Sequence, residues 1–392
     1  MNKINCILIL SLIFLFSCKK EKQSVSDEFR SMKVFDFETE KSFPSNDGGF
    51  LLLGPVSFSK MNTEGKIEWK KSRSYYNNQD TLSYFPETYC LLSDNKIVLC
   101  GIDYYQSDFN LFFQLANNKG EIITKNATPL YREFPNVSQI HARSIIRTSD
   151  NFFITGDYLD KNNSYSYFII KTDNSGNILW KKEYLFRNSS YEGKINKTII
   201  TTDYNILMTG INCDSAFIVK LNFEGNNNWE KYFSGSKYRN EATNIFISDD
   251  GNYIVTGYSD LSSSLTNYNY NFFIYKIDYT SGEKIWSQTY GTDKQDYCVA
   301  SQQTTDKGFV LIGTTNRQTQ TQTDSKSFMY LLKLNSQGVK EWSRNIGEDY
   351  GLQGLTVVPN ADNSFTIIGN KQGYGNSNVK HTIFIKTNTI EK

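Results

Sequence analysis

The sequence predicts an all-β ring, a seven-bladed β-propeller whose last blade is completed by an N-terminal strand. Three observations predict it. A glycine ends an apolar run seven times, at Gly54, Gly101, Gly156, Gly210, Gly257, Gly313 and Gly369, with 47 to 56 residues between successive members. All five tryptophans stand four residues after another glycine: Gly65/Trp69, Gly176/Trp180, Gly225/Trp229, Gly282/Trp286 and Gly338/Trp342. A lysine precedes each tryptophan by nine residues or, once, ten: Lys60, Lys171, Lys220, Lys276 and Lys333. A supersecondary unit repeated at such a period marks a closed or stacked repeat architecture.

The fifth unit shows the elements most clearly. Residues 241–248 alternate as a strand, and Asp249-Asp250-Gly251-Asn252 is a tight turn. A β-rich run over 253–257 and an apolar run over 272–277 follow, and the turn at 278–282 leads to a last strand over 284–290. These are four antiparallel strands, a to d, joined by turn residues. No stretch has sustained helical periodicity with caps. Strands b and c are apolar on both faces, as in Phe50-Leu51-Leu52-Leu53 and Phe272-Phe273-Ile274-Tyr275. A sheet wetted on one face would alternate, whereas a blade covered by two neighbours would not.

The seventh unit supplies strands a, b and c over 352–388. The extended segment 27–35 is expected to serve as its fourth strand, with Phe29 near the tryptophan position. Such closure covers an open edge with backbone hydrogen bonds. The resulting organisation is a signal peptide over 1–17, a lipidated tether over 18–26 and one propeller over 27–392.

The phrase Lys-x-Asp-x-x-Gly-x-x-x-Trp … Asp-Gly-x-Tyr-x-x-x-Gly resembles the repeats of a group of bacterial propeller lipoproteins, mostly of unassigned function. The run from Asp278 to Trp286 is also similar to the tryptophan-docking phrase of quinoprotein-type propellers. Those include pyrroloquinoline-quinone dehydrogenases and a lipoprotein of the outer-membrane β-barrel assembly machinery. The resemblance spans residues 30–390 and bears on architecture; fold alone does not carry activity. Quinone dehydrogenases of that kind carry adjacent cysteines beneath the cofactor, and this sequence has no Cys-Cys pair. No cofactor is expected.

The first 18 residues open with Met-Asn-Lys, continue with an apolar run over 4–16 and end Ser17-Cys18. That pattern reads as a secretory signal. The Leu15-Phe16-Ser17-Cys18 end resembles a lipobox, which implies lipidation at Cys18. The run is short for a membrane span. An envelope location, in the outer membrane, is expected, with a monomeric body. Lys+Arg 42 against Asp+Glu 41 leaves no basic stripe for nucleic acid.

Cys90 and Cys100 flank the second a–b turn, where an exported protein permits a disulfide; buried thiols are the expected state. Cys213 and Cys298 are expected to fill cores. The only histidines are His141 and His381, so neither a zinc site nor a Ser/His/Asp arrangement is expected.

A residue present in every repeat serves the fold, and a site breaks the repeat. By that rule the tryptophan and lysine sets are structural, the lysine laying its stem along the neighbouring blade. Loop length breaks the repeat. From the strand-b glycine to the strand-c lysine position the spacing runs from 6 (Gly54 to Lys60) to 20 (Gly313 to Lys333). The d–a connections vary too, and both kinds emerge on one face of a ring. Variable loops on a rigid scaffold are where function is usually placed. The candidate binding residues on that face are Tyr76, Tyr104, Tyr105, Tyr165, Tyr167, Tyr268, Tyr270, Tyr350 and Tyr374. Tyrosine suits both sugar rings and protein partners. The sequence therefore predicts a non-enzymatic binding or scaffold module for an envelope protein or a glycan. The alternative is a polysaccharide hydrolase or lyase with carboxylates such as Asp103, Asp157, Asp260, Asp296 and Asp349 at the channel mouth. A spacer without a ligand is a third reading.

Overall fold

The computed structural model describes residues 29–72, 86–105, 108–234, 239–261, 269–292, 295–315, 327–347, 351–372 and 380–388. These form seven four-stranded antiparallel sheets arranged as a seven-bladed propeller. Blade 5 carries strands a to d at Asn240–Ile247, Tyr253–Asp260, Tyr270–Ile277 and Lys284–Tyr290, close to the units read from the sequence. Blade 7 is built from Leu352–Pro359, Phe365–Gln372 and Lys380–Thr387, and its outer strand is the N-terminal segment Phe29–Phe35. The closure is as expected, but its register corrects one detail. Lys386 pairs with Ser31, so Ser31 and not Phe29 occupies the tryptophan position.

The core lies between blades. Among the described residues there are seven buried apolar clusters, each joining two neighbouring blades. Strands b and c feed both sides, and Phe309–Thr315 is buried at every position. This is the covered-on-both-faces geometry that removes alternation.

The recurring glycine–tryptophan phrase proves to be a contact between consecutive blades. Trp69 of blade 1 lies against Gly120 in the c–d turn of blade 2, where a Cβ would come within 2.8 Å of the ring. Its indole N–H donates to the Asn118 carbonyl at 2.7 Å. Trp229 meets Gly282 and Trp286 meets Gly338 in the same way. Where a blade lacks tryptophan a phenylalanine takes the place: Phe113 faces Gly176, and Phe384 faces Gly65.

The lysine set has a different role from the one its spacing suggested. Four of these amines bond the aspartate in the a–b turn of their own blade: Lys60–Asp47 at 2.6 Å, Lys220–Asp203 at 2.7 Å, Lys276–Asp250 at 2.5 Å and Lys333–Asp306 at 3.0 Å. Lys220 alone among these also reaches the next blade, at the Tyr279 carbonyl. Partial burial would raise these carboxyls. The lysine, a turn hydroxyl and a further turn hydrogen bond outweigh it, holding Asp47, Asp203 and Asp250 down to about 2. Depressed folded values contribute stability that is complete above the unfolded carboxyl value and lost as pH falls toward the folded one. Urea denaturation should therefore give a flat stability between about pH 5 and 7 and a loss between about pH 4 and 2. Each half-exposed bridge contributes at most about 1 kcal/mol. A stability already falling between pH 7 and pH 5 would contradict this assignment.

Of the cysteine expectations, the unbonded state of Cys90 and Cys100 is as expected and that of Cys213 changes. Cys90 pairs with Val98 and Cys100 with Thr88, so the two are offset along the hairpin, and both thiols are free. Cys298 is fully buried, but Cys213 is half-buried in the tight b–c turn of blade 4 with φ 56, and is not a core filler.

Candidate functional site

Chain direction fixes the two faces. The a–b turns at 45–49, 92–96, 148–151, 201–204, 248–252, 304–308 and 360–364 are uniformly short. The b–c connections range from 213–214 to 316–327, and the d–a connections from 36–40 to 73–87. Length variation therefore lies on the face where strand a begins. At the inner rim of that face a second repeated device operates. The strand-b glycine leaves room for a strand-a carbonyl: a Cβ on Gly156, Gly210, Gly257 or Gly313 would stand 1.8–1.9 Å from the oxygen of His141, Lys194, Glu241 or Tyr297. One strand-a residue is extruded beside each such contact, namely Arg143, Asn196, Thr243 and Val299 in blades 3 to 6 and Leu355 in blade 7. Such bulges re-aim side chains.

Several of the side chains gathered there latch blade to blade. Glu87 of blade 2 accepts the Ala142 N–H of blade 3 at 2.7 Å and meets His141 Nδ1 at 3.0 Å. Asp157 of blade 3 accepts the Ile195 N–H of blade 4 at 3.0 Å while Arg143 grips it through two bonds, at 2.8 and 2.9 Å. Asn196 donates to the Ala242 carbonyl of blade 5 at 2.9 Å, and Thr243 donates to the Cys298 carbonyl of blade 6 at 3.0 Å.

Blade 5 carries a dense polar cluster. Buried Glu241 accepts from Arg239 at 2.7 Å, from the Tyr258 hydroxyl at 2.6 Å and from Asn196 at 3.0 Å, with Lys194 at 3.9 Å. Burial pushes its carboxyl up, but Arg239 and Lys194 outweigh this and hold it below the usual range. Tyr258, Tyr270 and Tyr297 form an aromatic trio, with centroid separations of 5.5, 5.0 and 4.9 Å. Beside them the channel opens as a cavity of about 350 Å³. It is lined by innermost strands of blades 1, 4, 5, 6 and 7, including Lys41, Lys194, Lys197, Glu40 and Gln302.

Of the tyrosines read from the sequence, Tyr270 joins the trio. Tyr165 is half-buried at the start of strand c in blade 3, packed on the blade 3–4 cluster. Tyr167 is only 1% exposed and stacks on Tyr184 at 4.9 Å, so it is a core residue rather than part of a loop surface. Tyr104 and Tyr105 end the strand Ile97–Tyr105, their side chains outside the described part. Tyr76, Tyr268, Tyr350 and Tyr374 lie outside the described residues, as does Cys18. Among the acidic candidates, Asp157 is gripped by Arg143, buried Asp260 accepts the Asn269 N–H at 3.0 Å, and buried Asp296 accepts the Thr292 N–H at 2.5 Å. These three carboxylates hold the fold. Asp103 is half-buried in strand b of blade 2, and Asp349 lies outside the described residues. Tyr258 and Tyr297 were missed by sequence reading. Tyr258 directly follows a strand-b glycine, a position that reads Pro55, Ile102, Asp157, Ile211, Tyr258, Thr314 and Asn370 around the ring. The position varies from blade to blade, which by the rule of repeats was the available signal.

No protein-family model matches the chain, and no curated protein matches its sequence. Solved structures place it among β-propellers. The polysaccharide lyase Uly1 is 11% identical, with a TM-score of 0.51 over 90% of both chains. A protein of unknown function from Bacteroides caccae is 12% identical, with a TM-score of 0.45 over 76% of this chain and 93% of that one. The Neurospora crassa Pan2 WD40 domain is 9% identical, with a TM-score of 0.43 over 78% and 90%. At these identities the likeness concerns the fold alone.

Proposed function

We propose that this protein is an exported propeller, anchored through a lipid on Cys18 in the cell envelope, that binds a glycan or an envelope protein on its long-loop face. One observation carries the reading: all length variation emerges on the face whose inner rim also collects the tyrosine trio and the Arg239–Glu241 cluster. Aromatic faces beside fixed polar groups suit both sugar rings and protein surfaces. Crosslinking capture from intact cells should therefore lose its specific product in the Tyr270→Ala/Tyr297→Ala double variant while circular dichroism shows the ring intact. Capture unchanged by both substitutions would remove these residues from the contact. The second reading is polysaccharide turnover. Its support is the fold shared with Uly1 and the position of Glu40 in the channel cavity, where burial and then Glu38 raise its carboxyl toward the protonated form. A general acid needs such a shift. A polysaccharide panel shortened by the wild type and not by Glu40→Gln would favour turnover over capture.

A further inference from the structure

We propose that the channel is a binding site for a carboxylate group, held between Lys41 of blade 1 and Lys197 of blade 4. This goes beyond the loop-face reading and stands without it, because a small free acid would fill the channel with no loop contact.

The two lysines occupy the same level of the ring, each the first strand-a residue to pair beyond the extrusion point. Lys41 lies opposite Leu53, just before Gly54, and Lys197 opposite Thr209, just before Gly210. Both line the cavity of about 350 Å³. The Lys197 amine stands 5.6 Å from the centroid of the Phe43 ring, so it reaches from blade 4 toward the wall of blade 1. Among the described residues no carboxylate lies within ion-pair distance of either amine. Lys41 donates to the Glu87 carbonyl at 2.7 Å, which uses one of its three donors.

The neighbouring acids are engaged elsewhere, the Glu87 carboxylate by His141 and the Ala142 N–H. Glu241 is taken up by Arg239, Tyr258, Asn196 and Lys194. Glu40 is itself pushed toward its neutral form by burial and Glu38. Both lysines are half-buried on the channel wall, and an ammonium only partly hydrated there gains free energy from a bound anion. The same stress shows in the amines. Burial, then Arg143 and Lys194, brings Lys41 down to about 8, and burial lowers Lys197. The ionised Glu241 carboxylate on the same wall disfavours a doubly charged guest, which selects a carboxylate over a phosphate dianion. The Gln302 amide on the same wall supplies a neutral hydrogen-bonding group for the rest of the ligand.

The test is calorimetric titration of the whole propeller with acetate, D-glucuronate, D-glucose and inorganic phosphate, at about pH 6.5 and about pH 9.5. Acetate or glucuronate should bind and glucose should not. Equal affinity for the two acids would point to a free acid, and tighter glucuronate binding to a carboxylated sugar. Lys41→Met and Lys197→Met should each weaken binding at least about tenfold with unchanged melting, while Lys197→Arg keeps it. Affinity should fall from the lower to the higher pH as the amines lose their protons. The ionisable groups facing Lys41 are Glu40, Glu87, Arg143 and Lys194. If the methionine variants fail to fold, reductive ¹³C-methylation of wild-type lysines keeps their charge. Acetate should then shift two lysine resonances. Absence of carboxylate binding, binding untouched by both methionine variants, or stronger binding of phosphate than of either acid would overturn the proposal.

Discussion

Removing the strand Phe29–Phe35 should open the ring and abolish its single cooperative unfolding transition. That strand pairs with Lys380–Thr387 from Phe29↔Thr387 to Phe35↔Thr382, and without it the last blade ends on an unpaired edge. Met32 packs on the blade 6–7 cluster and Phe35 on the blade 7–1 cluster. Each contributes roughly 1.5 kcal/mol on burial, with about 1 kcal/mol for each ladder hydrogen bond in addition. The total is a large share of the roughly 5–15 kcal/mol that holds a typical native fold. Calorimetry of the truncated chain should show a broad transition at lower temperature, and size-exclusion chromatography should show association through the exposed edge. A truncated chain that melts as sharply and as high as the full one would show that the closure is ornamental.

Gly210→Ala should destabilise the protein by about 3 kcal/mol or more. A Cβ there would stand 1.8 Å from the Lys194 carbonyl oxygen and 2.9 Å from its carbon. Both are backbone atoms fixed by the strand a–b ladder, so relief requires moving the bulge that turns Asn196 toward the channel. Gly251→Ala is the control. Gly251 has φ +83 with nothing near its missing Cβ, so only the left-handed conformation opposes the change, at about 1 kcal/mol. Chemical denaturation of both variants separates the two causes. Equal losses would mean that the strand-b glycines are retained for conformation and not for close approach.

That contrast explains what the sequence made legible. The seven glycines, the tryptophan phrase and the alternation-free strands gave blade number, strand order and closure, because each depends on local spacing and on burial on both faces. The partners of those residues were not legible. That Trp69 docks on Gly120, or that Lys60 bonds Asp47 and not the neighbouring blade, depends on which turns meet in space. The same limit misplaced Tyr167, which belongs to a polar-looking stretch yet points between blades. The channel set was obscured by the bulges. An extruded residue falls out of the period-two pattern, so Asn196 and Thr243 read as ordinary strand positions. Three of the acidic candidates are engaged for a physical reason too, since a carboxylate at the rim meets unpaired backbone N–H groups and is readily recruited to satisfy them, as Asp157 is.

The closing strand also fixes the side of the ring from which the chain enters. Phe29 opposes Thr387, and Arg30 lies 3.8 Å from Asp362 in an a–b turn, so the chain enters blade 7 on the short-turn side and strand c leaves there as well. With the proposed anchor at Cys18, the segment leading to Phe29 spans at most about 40 Å fully extended. A leash of that length attached to that side works like a stalk beneath a dish. On that proposal the bilayer would lie on the side of the uniform turns, and the variable loops would face away from it, toward whatever diffuses past.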